Sequence, residues 1–200
     1  MMRTNTLCAI GVLLVSLAGS STATAQQPGP PIPCEDFGVC PREYCAYGEW
    51  TALRTVKVYR TRSLKSTVAF TVKAHDKISA LTGVVVTYSP SAWHFSDDTQ
   101  LGNLSAKAGE TLYLLTYHGE AIWTAWFRGR LHDDIDCSMC DIDFCDIDWL
   151  YFCSDTQLTA AVRTPKRIWW AQIKAAKGRI GWAAISPGDF DLGIGPDRTE

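Results

Sequence analysis

The chain is expected to be an all-β protein with two small barrel-like lobes, and three observations predict this. From Thr51 onward, short runs rich in Val, Ile, Thr and aromatic residues alternate with Gly, Pro, Ser and Asp, and no long helical period interrupts them. Ile168-Trp169-Trp170-Ala171-Gln172-Ile173 and Ile180-Gly181-Trp182 flank Ala175-Ala176-Lys177-Gly178, a hairpin in which Gly178 can take the positive φ of a tight turn. Lys73-Ala74-His75-Asp76-Lys77-Ile78-Ser79-Ala80-Leu81 aligns with Lys107-Ala108-Gly109-Glu110-Thr111-Leu112-Tyr113-Leu114-Leu115. This is a repeated turn, charge and strand with alternate residues facing inward.

Composition allows such a fold. The 200 residues are 46% hydrophobic and 20% charged, with a formal net charge of -2. That is enough apolar material for one core or two small ones, and there is no basic excess to drive nonspecific nucleic-acid binding.

Residues 1–25 have the form of a secretory signal peptide: Arg3, the apolar run Leu7 to Leu17, then small residues ending in Ala23-Thr24-Ala25. The run is too short to span a bilayer and no later segment approaches the necessary length, so an exported protein without a membrane span is expected, periplasmic or secreted. Cleavage after Ala25 removes Cys8 and leaves seven of the eight cysteines. In an oxidising compartment the default is three bridges and one odd thiol, which could be buried, reactive or used to form a disulfide-linked dimer.

Residues 26–48 contain Pro28, Pro30, Pro31, Pro33 and Pro41 and read as an extended arm, because proline fixes φ and removes backbone donors. Cys34, Cys40 and Cys45 are expected to pin it to something downstream. A first lobe is assigned to residues 49–100, a second to 101–190 with an insert at 132–155, and a tail to 191–200. Strands are predicted at Thr55 to Tyr59, Val68 to Lys73, Lys77 to Leu81, Val84 to Tyr88, Leu112 to Tyr117, Ile122 to Phe127, Ile168 to Lys174 and Arg179 to Ala184. Trp170 and Trp182 are expected to pack the barrel, with Trp169 pointing the other way.

The Lys107-Ala108-Gly109-Glu110 turn before Thr111-Leu112-Tyr113-Leu114-Leu115, with the closing Trp170-x-x-Ile173-x-x-x-x-Gly178-x-x-Gly181-Trp182, resembles bacterial SH3-like (SH3b) domains. The resemblance implies two SH3-like lobes over roughly residues 50 to 190. It also implies recognition or adhesion rather than chemistry, directed at a cell-wall peptide or an envelope protein. The chain departs from the family pattern at His75, where the turn usually has Gly, at Ala183-Ala184 after the final Gly-Trp, and in the insert. The whole is also similar to exported bacterial proteins with a Cys-rich start before a Tyr-x-Glu-Trp-Thr-Ala segment, here Tyr47 to Ala52.

The insert carries eight aspartates from Asp133 to Asp155, no Lys or Arg, and Cys137, Cys140, Cys145 and Cys153. Structural disulfides, a zinc site and a Cys137-x-x-Cys140 redox pair compete for these cysteines. Export favours the first, and the aspartates should raise a thiol's pKa. The aspartates could hold calcium, but the EF-hand order is missing, and Asp alternating with apolar residues fits the solvent side of a half-buried strand. No cofactor or metal is therefore expected.

The four histidines show no ligand spacing, and Glu120 lacks a partner carboxylate at glycosidase separation. With eight Trp, seven Tyr and seven Phe, an exposed aromatic surface is the more plausible binding feature. Tyr117, Trp123 and Trp126, flanking the Gly119 turn, are its candidates. The expectation is thus an exported noncatalytic SH3-like recognition or structural protein of the bacterial cell envelope. The alternative is a metal-binding or thiol-redox protein using the insert.

Overall fold

The computed structural model describes residues 28–42, 45–137 and 166–192. The described residues are all-β: fourteen strands and a single turn of 3₁₀ helix at Ala176–Gly178. The strands are β1 (Cys34–Phe37), β2 (Gly48–Ala52), β3 (Val56–Tyr59), β4 (Val68–Val72), β5 (Lys77–Ser89), β6 (Ser91–His94) and β7 (Thr99–Leu101). They continue with β8 (Leu104–Ala106), β9 (Thr111–Gly119), β10 (Ile122–Phe127), β11 (Arg130–Asp136), β12 (Lys166–Lys174), β13 (Ile180–Ile185) and β14 (Phe190–Asp191). An eight-stranded sheet in the order β14-β2-β5-β12-β13-β3-β4, with β1 added to β5, curls into a half-barrel. A second sheet runs β11-β10-β9-β6, and β7 and β8 form a hairpin.

The two runs predicted at residues 77–81 and 84–88 are one 13-residue strand. Gly83 is not a break. A Cβ there would lie 1.9 Å from the Tyr47 hydroxyl and 2.8 Å from the Trp169 indole nitrogen, so glycine lets Tyr47 lie against the strand. Opposite β12, Gln172 pairs with Thr82 and Ile173 with Ala80, which leaves Leu81 as a bulge. The bulge changes which parity faces the core. Ile78 and Ala80 before it and Val85 after it share the main cluster, whereas Val84 and Val86 face the other side.

The main cluster gathers Trp50, Val58, Val72, Trp169, Ile173 and Phe190. Trp50 lies 5.7 Å from Trp169 and 5.6 Å from Phe190, ring centre to ring centre. Trp169 and Trp170 do point to opposite faces, but it is Trp169 that enters the main cluster. Trp170 joins Val84 and Val86 on the outer face of the sheet, with Tyr59, Ile168, Trp182 and Ala184 against them. The closing hairpin turns as expected, with positive φ at Lys177 and Gly178. Its strands, grouped with residues 101–190 in the sequence reading, pair with β5 and β3 in the eight-stranded sheet.

A second core lies on the inner face of the second sheet, under β7 and β8: Phe95, Leu101, Leu104, Leu112, Trp123, Phe127 and Ile135. Arg167 fastens it to the first. Its guanidinium donates to the carbonyls of Leu115 (2.5 Å) and Leu114 (2.9 Å) and to Ser91 Oγ (3.3 Å), and it lies 5.1 Å from the Trp123 ring centre. Thr87 Oγ1 donates to the same Leu115 carbonyl at 2.9 Å. Between β9 and β10 the pairing jumps from Thr116 to Leu114, so Leu115 sits in a bulge and its buried carbonyl takes donors from the other sheet.

The internal repeat survives as two matching clasps. His75 and Gly109 both have positive φ, 70° and 84°. Asp76 Oδ2 accepts from Lys73 N at 2.9 Å, and Glu110 Oε2 from Lys107 N at 2.7 Å. His75 N then donates to Ala52 O and Gly109 N to Phe95 O, each at 2.7 Å. Each turn thus pins an earlier part of the chain.

The arm is extended at Cys34–Phe37 and turns back between Cys40 and Cys45, and its cysteines do not anchor it downstream. Cys40 bonds to Cys45 within the arm, Cα to Cα 5.5 Å. The backbone does the holding: β1 pairs Cys34 to Phe37 with Thr87 to Val84, and Gly38 N donates to Gly83 O at 2.8 Å. The Ile32–Pro33 peptide is cis. Residues 1–25, where a signal peptide is expected, and the 193–200 part of the tail lie outside the described residues.

Candidate recognition site

The three aromatic candidates do not share one surface. Tyr117 and Trp123 are buried in the second core with ring centres 5.2 Å apart. Along β10, Trp123, Ala125 and Phe127 point inward, so Trp126 points outward; it is half-buried, and its indole N–H donates to the Pro28 carbonyl at 3.0 Å.

On that outward face the arm meets the second sheet through a polar cluster. Thr124 Oγ1 donates to Asp36 Oδ2 at 2.9 Å, and His118 Nε2 lies 2.7 Å from Thr124 Oγ1 and 3.4 Å from Asp36 Oδ2. Since the single hydroxyl proton of Thr124 goes to Asp36, His118 Nε2 is the protonated nitrogen and donates to Thr124. Burial works to raise the Asp36 pKa, but hydrogen bonds from His118 and Thr124, with the His118 charge and Thr116, outweigh it and hold the carboxyl below its ordinary value. This is not a nucleophile relay, because hydroxyl and carboxylate meet the same imidazole nitrogen, whereas a relay needs them on opposite nitrogens. The cluster is a latch for the arm.

Nearby, burial and the Tyr47–Trp169 hydrogen bond act in opposite directions on the Tyr47 phenol. Burial dominates, and its pKa is pushed up to about 12. Its hydroxyl donates to the Val39 carbonyl and accepts from the Trp169 indole N–H at 3.2 Å. Cys34 carries a half-buried free thiol. Burial, then the charges of Asp36 and Glu35, push its pKa up, which suits an inert thiol rather than a nucleophile.

The surface best suited to a partner lies on the outer face of the eight-stranded sheet. An open groove of about 560 Å³ runs over β3, β12 and β13, floored by Tyr59, Ile168 and Ala184 and edged by Leu64, Arg54 and Lys57; Arg167 also lines it, but its guanidinium is committed to Leu114, Leu115 and Ser91. Leu64 is 58% exposed, and the floor residues pack against the buried Trp170. Arg54 is held by buried Asp189 at 2.6 Å. Beside the groove, Arg62 lies between Phe37 and Trp182, 5.3 and 5.6 Å from their ring centres, and pairs with Glu35 at 3.0 Å. Lys57, Arg60 and Lys65 form no ion pair among the described residues. From Trp50 to His75 the chain has six Lys or Arg and no Asp or Glu. That acid-free run is the sequence signal pointing to this groove; the aromatic count pointed elsewhere.

A larger cleft, about 620 Å³, lies between β7–β8 and β10–β11. Its charges are already balanced: Glu110 holds Arg128 through two oxygens at 2.7 and 2.6 Å, Arg130 contacts His132, and Asp133 and Asp134 oppose them. Asp133, Asp134 and Asp136 on β11 are exposed while Ile135 and Cys137 are buried, the solvated acidic face expected of the insert's start. Cys140, Cys145, Cys153 and the remaining aspartates of the insert lie outside the described residues. Among the described residues, no three His, Cys, Asp or Glu side chains are grouped to hold a metal ion, and no helix is long and apolar enough to cross a membrane. The chain matches no family model, no curated protein and no solved structure.

Proposed function

We propose that this chain is an exported, noncatalytic recognition or structural protein of the bacterial cell envelope, with two SH3-like lobes, that binds a carboxylate-bearing cell-wall peptide or an acidic segment of an envelope protein. One observation carries the reading: an open groove with an aromatic and aliphatic floor beside buried Trp170, edged by Lys57, which forms no ion pair among the described residues. Such a floor supplies contact area at low entropy cost, while the Lys57 ammonium favours a carboxylate and raises the encounter rate. The leader-like sequence of residues 1–25 and the Cys40–Cys45 bond are compatible with export. The curled half-barrel and the two matching turn clasps support the SH3-like relationship.

The test is co-sedimentation with purified cell-wall sacculi and capture of envelope proteins, comparing the native chain with Lys57→Glu and Leu64→Ala. Both positions are exposed, so folding should be unaffected. The reading predicts binding that falls about tenfold in Lys57→Glu and weakens as salt is raised. Unchanged binding in both variants, or none by the native chain to either material, would overturn it.

A further inference from the structure

We propose a second, separate binding site on the outer face of the second sheet. It would take a proline-rich peptide in the extended polyproline conformation, and in this chain Pro28 and Gly29 of its own proline-rich arm lie against it. Its floor is a stripe across all four strands: Ala92 pairs with Tyr113, Tyr113 with Trp126, and Trp126 with Leu131. Tyr113 and Trp126 are half-buried, and Leu131 is 48% exposed. Apolar side chains in register on a solvent-facing side form a flat platform, and aromatic rings suit the flat rings of proline.

The covering segment shows how such a ligand would sit. Trp126 donates its indole N–H to the Pro28 carbonyl at 3.0 Å. A side chain at Gly29 would meet the Tyr113 ring tip at 3.9 Å, ordinary van der Waals contact. Four of the six residues from Pro28 to Pro33 are proline. A polyproline segment makes no internal hydrogen bonds, so its carbonyls remain free for an outside donor, and its stiffness limits the entropy lost on docking. An indole N–H beside a second aromatic ring is the pair of contacts this chemistry calls for.

This contact is also the weakly held part of the arm. Pro28 and Gly29 are exposed, Pro28 bonded to the sheet by the Trp126 indole and Gly29 lying beside the Tyr113 ring. The rest of the arm is fixed independently by the four β1–β5 pairs and by Asp36 bonded to Thr124. Pro28 and Gly29 can therefore leave the platform without undoing the arm. A tethered segment competes at high effective concentration, so an outside peptide must bind well enough to displace it. The site does not depend on the groove over β3, β12 and β13.

The experiment uses ¹⁵N-labelled full-length chain and a capped synthetic peptide, Pro-Gly-Pro-Pro-Ile-Pro, the sequence of residues 28–33. The Trp126 indole N–H resonance is assigned by its disappearance in Trp126→Phe. Titration of the native chain should move that resonance only at high peptide concentration. In a Pro28→Gly, Pro30→Gly variant, whose segment covers the platform less well, the apparent affinity should rise about tenfold. Adding Trp126→Phe to that variant should abolish binding. A control peptide with serine for every proline should not bind. If the double variant does not fold, Pro28→Gly alone serves, and the native titration stands by itself. The proposal is overturned if the Trp126 resonance does not move at millimolar peptide in either the native chain or a folded arm variant, or if the serine peptide binds equally well.

Discussion

Adding one methyl group at Gly83 asks whether Tyr47 is held by close approach to β5. In Gly83→Ala the new Cβ would fall 1.9 Å from the Tyr47 hydroxyl and 2.9 Å from its Cζ, so the phenol must leave its place. It then gives up its bond to the Val39 carbonyl and its bond from the Trp169 indole N–H. Two hydrogen bonds are worth about 2 kcal/mol, and the stranded, buried indole N–H adds about 1–2 kcal/mol. Reduced freedom of the unfolded chain returns about 0.5 kcal/mol, leaving a net loss of about 3 kcal/mol. Tyr47→Ala removes the obstacle. In that background only the Trp169 nitrogen at 2.8 Å resists the methyl, and Gly83→Ala should cost about 1 kcal/mol. Urea denaturation of the four proteins in this cycle should therefore show coupling of about 2 kcal/mol. Additive effects within about 0.5 kcal/mol would refute the close-approach explanation of Gly83.

Three further outcomes follow from the same contacts. Because the Asp36 carboxyl sits below its ordinary 3.8 in the folded chain, its contribution is full above that value and is lost as pH falls through the folded value. Asp36→Asn should cost about 1–2 kcal/mol at neutral pH, with the difference from the native chain shrinking below about pH 4 in acid denaturation curves. His75→Gly should stabilise by about 0.5–1 kcal/mol and Gly109→Ala should destabilise by about 1 kcal/mol, read from urea midpoints, since both positions hold positive φ. Arg167→Lys should cost about 2–3 kcal/mol in the same assay, because an ammonium cannot span Leu114 O, Leu115 O and Ser91 Oγ while covering Trp123.

Much of the fold was legible in local chemistry. The alternation of Val56 with Val58, the Gly178 turn and the Lys-Ala-x-acid clasps are short-range signals, and strands, hairpin and turns all formed where those signals stood. The candidate site was less legible. Tyr117 and Trp123 were drawn together by their closeness to Gly119, but strand parity and a bulge at Leu115 turned both into the core. Trp126, one residue out of phase, alone faced outward. The groove over Tyr59 and Ile168 joins residues more than a hundred positions apart, so no window of sequence contains it.

What the sequence determined by itself was therefore the all-β class, seven of the fourteen described strands and the positive φ at Gly178, because each depends on contacts within a few residues. Tertiary structure decided which face of each strand is inside. Leu81 and Leu115 each shift the inward parity by one, and such a shift depends on the partner strand, not on the residue. It also decided that the closing hairpin pairs with β5 and β3 and that the arm is held by a backbone ladder instead of its cysteines. Those pairings join distant parts of the chain, where the free energy resides in burial and register that no local pattern records.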